Sequence, residues 1–461
     1  MNEASSRAVV TPSAAGGMHA RRHPKGLYYL AVTEAWERFA FYGMVALLSL
    51  YMVDHLLLPP HAARVAGLAG LRTAMESFVG PLSSQAFASQ IFGLYSAFVY
   101  LTPVLGGLIA DRWLGQRNAV VTGALAMATG YVAVSFEETF LIALLLLITG
   151  SGLLKGNIAA QVGALYPPED EARRARGYVI FSTGVNIGAI AGPLVCGWLA
   201  QAYGWHYGFG VAAVCMLVGL ATYLGGYRDL PPRVQRDRGT AAVRLTGAEW
   251  RVIAALITVM LISIFQSVAY LQVFNVAPVW IERHVESDIA GFRVPVPWYT
   301  AVNSLLSVLC VPLLFWIWRR QAVRGREPDD LTKMGTGAWL TAASNLILVV
   351  AILGSSATRI SPLWPFLSSA GLGIAFMYYW PTLLALISQA APARVSGTLV
   401  SGAYLTLFVA NLLIGWIGGF YERMTPAAFW ALHAAIAAAG ALIVLVFGAR
   451  LRRTLVARSA V

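Results

Sequence analysis

Glu34, Glu37, Arg38 and Lys155 are residues of this chain whose types and settings can do chemistry. The first three lie in the run TEAWERFAFYG and the fourth in GSGLLKGNIAAQ, each inside a long apolar segment. On a helix, positions 34, 37 and 38 stand at i, i+3 and i+4 and share a face, with Tyr42 two turns beyond Glu34 on that same face. A charge at the centre of a membrane helix costs about 2.5–3.5 kcal/mol even on lenient scales, so it needs a partner or a purpose. Two acids and two bases sum to zero and can be buried together. A purely structural role is the weaker reading, because apolar residues often replace buried ion pairs without loss of stability. A carboxylate held beside a guanidinium and an ammonium stays ionised until a moving helix or a bound anion withdraws one cation, and it can then accept a proton. That chemistry couples protonation to conformational change.

The elements that must position these groups are set by composition. The 461 residues are 58% hydrophobic and only 12% charged, with a mean hydropathy of +0.66. A soluble globular enzyme carries about 25% charged residues. Apolar runs long enough to cross a bilayer as helices fall at 26–54, 86–112, 116–134, 138–165, 175–202, 205–227, 250–281, 298–319, 336–354, 363–389, 396–420 and 426–449. We therefore expect an all-α membrane protein with twelve transmembrane helices in two six-helix bundles, 26–227 and 250–449. A basic cytoplasmic linker at 228–249 with Pro231 and Pro232 joins them, flanked by a disordered polar segment at 1–25 and a short cytoplasmic tail at 450–461. Residues 1–25 lack the apolar core and cleavage site of a secretory signal peptide.

The net charge of +12 is a topology signal rather than a nucleic-acid site. Most lysines and arginines fall on the side that holds both termini, which the positive-inside rule assigns to the cytoplasm. Cys196, Cys215 and Cys310 sit in apolar runs without paired or metal-ligand spacing and read as packing residues. Neither a His-Glu-x-x-His run nor a Gly-x-Ser-x-Gly elbow occurs, so no enzyme, metal or cofactor is expected.

Two six-helix halves, each with inverted three-helix repeats, form the architecture on which major facilitator transporters alternate access to a midplane site. Gly107, Asp111, Arg112, Gly115 and Arg117 in GGLIADRWLGQR resemble that superfamily's loop motif between helices two and three, in which a carboxylate at a helix end pairs with arginines and latches the cytoplasmic side. Tyr95, Tyr100, Asn157, Gln161, Asn186, Gln266, Tyr270, Gln272, Asn275 and Asn303 can each line a cavity or bridge two helices. His433 reads as a packing histidine.

Glu34-x-x-Glu37-Arg38-Phe39 followed by Tyr42-Gly43 resembles the first-helix motif of the proton-dependent oligopeptide transporter family. Lys155, the run FSTGVNIGAIAGP with Phe181, Asn186 and Gly188, the loop residues Asp111 and Arg112, and the stretch LISQAAPARVSGTLVSGAYL extend the resemblance, which is strongest over 26–200. It implies symport of protons with di- and tripeptides by a multi-pass protein of the bacterial inner membrane, acting as a monomer, with the bilayer as its surroundings. By position, Arg38 and Lys155 receive the peptide carboxylate and Glu34 and Glu37 take part in proton coupling. Tyr42, Tyr100, Asn186 and Asn303 line the pocket, while Asp111, Arg112 and Arg117 gate it.

The carboxy-terminal half departs from the family pattern. Where members carry an acid in helix seven this chain has Tyr270, and where they carry a glutamate in helix ten it has Phe376. The eleventh-helix tryptophan becomes Ala403 or a neighbour, and the additional helix pair between the halves is missing. With no acid to hold a peptide amine, Tyr378, Tyr379 and Trp380 are candidate cation–π partners. A related symporter for a carboxylate or other anion without an essential amine is the alternative expectation.

Overall fold

The computed structural model describes residues 22–167, 169–231, 245–289, 291–392 and 394–456. The segment 1–21, most of the linker and the last five residues lie outside the described residues, and with them most of the expected disordered segment 1–25, whose last residue, Lys25, opens the first helix.

Long helices follow the expected order. They are α1 (Lys25–Tyr51), α2 (Ser84–Ile109), α3 (Gln116–Ala133), α4 (Phe140–Ala164), α5 (Glu171–Tyr203), α6 (Trp205–Gly225), α7 (Gly247–Leu271), α8 (Pro297–Val323), α9 (Asp330–Gly354), α10 (Leu363–Ala390), α11 (Ser396–Gly418) and α12 (Pro426–Val456). Among the described residues, 11 helices are long and apolar enough to cross a membrane. The expected span that falls short is α3, whose first turn is Gln116, Arg117 and Asn118 and whose remainder is rich in small residues. It still packs along α4 and α6 as a span would, so its neighbours rather than its own hydropathy hold it in the bundle.

Polar side chains start several helices by accepting orphan backbone N–H groups. Ser83 accepts from Ala86 N, Asp170 from Arg173 N and Asp329 from Thr332 N, and Thr246 with Glu249 closes a capping box on α7. Two ends continue as π turns. Met52–Leu56 extends α1, and Ala110–Leu114, which carries Asp111 and Arg112, extends α2. Gly115, at φ +73°, then turns the chain into α3 in a conformation other residues rarely adopt.

The halves repeat in three dimensions although their sequences barely do. The pairings α1–α5, α1–α6, α2–α4, α3–α4 and α3–α6 recur as α7–α11, α7–α12, α8–α10, α9–α10 and α9–α12. Contacts between halves obey the same exchange, with α2 against α11 and α5 against α8. These meet at the end away from the chain termini. There Gly93 lies so close to Gly415 and Asn411 O that a Cβ would collide, and Gly197 abuts Pro297. Trp298 Nε1 donates to Leu194 O at 3.0 Å, Ser49 Oγ to Phe274 O at 3.3 Å and Asn275 Nδ2 to Ser89 Oγ at 2.7 Å.

The seventh expected span, 250–281, is not continuous. The α-helix stops at Leu271, and a separate helix, Val276–His284, follows. Gln272 and Asn275 occupy the break and both donate to Ile414 O of α11, so irregular backbone is tolerated where protein supplies the hydrogen bonds.

Candidate functional site

Helix α1 is the most enclosed of the spans, 83% buried over its apolar window, and its polar face is among the buried parts. Arg38 Nε stands 3.0 Å from Glu34 Oε1 and also pairs with Glu37 Oε2. Glu34 and Arg38 are nearly buried and Glu37 fully so. Glu34 Oε2 and Glu37 Oε1 accept no hydrogen bond from the protein, and Arg38 Nη2 donates none to it. A buried cluster with spare acceptor and donor atoms is costly as architecture and has free capacity for a proton or an anion.

What brings a second helix onto this cluster is a run of glycines spaced by four. Gly184, Gly188 and Gly192 of α5 face α1 backbone at Ala31, Ala35 and Phe39, and a Cβ on Gly188 would stand 2.7 Å from Arg38 Cβ. Small residues at this spacing let membrane helices approach closely. Likewise Gly152, one turn before Lys155, seats α4 on Thr102 of α2, whereas Gly156 meets only Pro103 O at an ordinary 3.7 Å.

Lys155 is half-buried and faces inward. Its Nζ lies 4.2 Å from the ring centre of Phe41 and 5.7 Å from that of Tyr100, and Arg38 Cζ is 5.3 Å from the same Phe41 ring. Both cations thus lie over the same ring. Among the described residues Lys155 forms no ion pair with Glu34 or Glu37, so it meets the Glu34–Arg38–Glu37 group through the Phe41 ring instead of closing a single salt-bridge network. Phe41 is three residues beyond Arg38, on its face of α1, but an aromatic in an apolar span carries no mark that separates it from packing.

Tyr42 and Tyr100 line a cavity of about 30 Å³ with Phe41, Ser96, Leu271 and Asn411, drawn from both halves. From the second half, Tyr270 donates its hydroxyl to Asn303 Oδ1 at 2.9 Å, and Asn303 Nδ2 reaches Ser369 O at 3.3 Å. The Tyr270 ring stacks on Phe376, centroids 5.3 Å apart at 26°. Asn186 is exposed, three turns before Gly197, where α5 meets Pro297 of α8.

The three aromatics of α10 diverge. Tyr378 packs edge-on against Trp318, and the buried Tyr379 shares a hydrogen bond with Ser267. Trp380 packs edge-on against Tyr404 of α11, 5.4 Å away. Tyr404 is 39% exposed. It is the neighbour of Ala403 and was not singled out by residue type.

Other polar residues serve packing. Asn157 donates to Leu153 O and Gly106 O, Gln161 pairs with Tyr223, and Gln266 reaches Thr341. Tyr95 is buried, and His433 Nδ1 lies 2.8 Å from Phe429 O. In the loop after α2, Arg112 is exposed. Arg117 donates to Pro231 O at 2.9 Å and to Leu230 O, with its guanidinium over Tyr227, so it fastens the start of the linker to α3.

A family model described as the POT family matches residues 117–238 and 234–431, more than half of the chain. The chain belongs to the POT family. Among relatives, it is 27% identical to a peptide transporter, YePEPT, of Yersinia enterocolitica, covering 93% of this chain and 95% of that protein. It is 28% identical to a di-/tripeptide transporter of Lactococcus lactis, covering 92% and 95%. Its coordinates superpose on a peptide transporter POT solved with sulfate at a TM-score of 0.82 and 24% identity, over 95% of this chain and 97% of the other. A POT family transporter solved with 5-aminolevulinic acid gives 0.80 and 23%, over 94% and 98%. The POT fold, a major facilitator fold, is thus the fold of this chain.

Proposed function

We propose that this chain is a proton-coupled symporter of di- and tripeptides, working by alternating access as a monomer in a bacterial inner membrane with both termini in the cytoplasm. The halves 26–227 and 250–449 are the moving bodies and 228–249 the tether. The observation that carries this reading is the buried Glu34–Arg38–Glu37 group, with unsatisfied polar atoms, facing Lys155 across Phe41. Membership in a family of transporters and relatives named peptide transporters support it.

In this mechanism a proton taken near Glu34 or Glu37 loosens their hold on Arg38. Arg38 and Lys155 then receive the substrate carboxylate by charge-assisted hydrogen bonds. Asn186 and Asn303 suit a peptide backbone without regard to side chain, and Tyr42 and Tyr100 supply the walls. With cytoplasmic termini, the contacts between halves at the end away from the termini lie on the outer side.

A second reading rests on a specific observation. Tyr270 and Phe376 stack on each other where an amine-binding acid would stand by resemblance, which favours a carboxylate or anionic substrate with no essential amine. Proteoliposomes with an imposed proton gradient separate the two. Uptake of dialanine with rejection of N-acetyl-dialanine supports the peptide reading, and equal uptake of both supports the second.

A further inference from the structure

Away from the central cleft, His55, His61 and Glu137 converge at the end of the bundle remote from the termini. Each comes from a different segment: the π turn after α1, the short helix Pro59–Ala62 and the 3₁₀ turn before α4. His55 Nε2 is 2.9 Å and His61 Nδ1 2.8 Å from the same Glu137 Oε1. All three donor atoms lie within 4.8 Å of one another. We propose that these residues form a binding site for a divalent transition metal, with zinc the ion that fits best.

Two imidazoles and one carboxylate, with a fourth position left to water, are a common ligand set for Zn²⁺. Bonds of about 2.0–2.1 Å in a tetrahedron put ligand atoms roughly 3.3 Å apart. The His55–Glu137 and His61–Glu137 spacings therefore need to open by only about half an ångström, within reach of side-chain rotation. Neighbours hold the ligands in place. Tyr51 stacks on His55 at 5.5 Å, and the two imidazole rings lie 4.0 Å apart. Arg64 Nη1 approaches the other carboxylate oxygen, Glu137 Oε2, at 3.4 Å and its Nε approaches Glu138 Oε1 at 3.6 Å. This turns Oε1 toward the histidines, as outer-shell partners do in metal sites. The guanidinium also places a positive charge near the ion, which points to moderate affinity. The His55 and His61 side chains are 24% and 29% exposed, so an ion can enter without unfolding. Once bound it ties the end of α1 to the start of α4.

The test uses full-length, tag-free protein in detergent, stripped with a chelator and titrated with zinc chloride in a calorimeter at neutral pH. Saturable binding of one ion is expected, weakened about tenfold or more by His55→Ala, His61→Ala and Glu137→Gln and unchanged by His206→Ala, an exposed histidine elsewhere. A second measurement needs no variant. Zinc should slow carbethoxylation of His55 and His61 in the wild-type protein but not of His206. Absence of saturable binding, binding that persists in the double histidine variant, or carbethoxylation of His55 and His61 unaffected by zinc would each overturn the proposal.

Discussion

Lys155 Nζ stands 4.2 Å from the centre of the Phe41 ring, on an aromatic that it shares with Arg38. A ring contacted by two cations offsets part of their mutual repulsion without neutralising either, because its π electrons attract both. Lys155 thereby remains available to an incoming anion, which a salt bridge to Glu37 would not permit.

Replacing Phe41 tests this arrangement. Loss of a cation–π contact worth about 0.5–2 kcal/mol corresponds to roughly 2- to 30-fold weaker substrate affinity. Phe41→Leu should raise the half-saturation concentration for dialanine by that range in proteoliposome uptake, while Phe41→Tyr stays near wild type. Equal kinetics for both variants would remove the ring from the site.

The carboxylates predict a split between exchange and accumulation. Glu37→Gln keeps the shape of the side chain but cannot cycle a proton, so counterflow of labelled dialanine should persist while uptake driven by a proton gradient falls to near background. Lys155→Ala should impair gradient-driven uptake too. Concentrative uptake at wild-type levels in both variants would contradict the assignment.

Close packing of α5 on α1 makes Gly188 intolerant of a side chain. A Cβ 2.7 Å from Arg38 Cβ forces the helices apart, and overpacking of this kind costs about 1–3 kcal/mol. Gly188→Ala should lower the thermal midpoint of the purified protein by several degrees, whereas Gly397→Ala, which meets nothing within 4 Å, should have little effect.

The aromatic stack of the second half predicts a gain of selectivity. Phe376→Glu places a carboxylate beside Tyr270 in the cleft, and a buried acid without a cation is unfavourable until an amine arrives. Relative uptake of dialanine over N-acetyl-dialanine should rise. An unchanged ratio in a folded variant would mean that this position does not face the amine.

The twelve-helix order was legible because long apolar runs allow few other structures in a bilayer. The charged face of α1 was legible because membrane charges stand out by their cost. Less could be read where tertiary neighbours decide. α3 is held in the bundle by α4 and α6 despite its polar start, and α7 breaks at Gln272–Asn275 because α11 offers Ile414 O to both side chains. Residue type also could not rank Tyr378, Tyr379 and Trp380. Trp318 and Ser267 engage the first two, and Trp380 packs against Tyr404. Arg117 belongs to the loop motif by spacing, and its hydrogen bonds to the backbone of Leu230 and Pro231 are partners that no periodicity reveals.

The central claim is that the α1 carboxylates exchange an internal cation for a proton as cargo binds. Proteoliposomes loaded with a pH-sensitive dye, given dialanine outside without an imposed gradient, test it directly. Acidification of the lumen that depends on dialanine and disappears in Glu37→Gln is the predicted result. Entry of dialanine with no movement of protons in the wild-type protein would contradict the account.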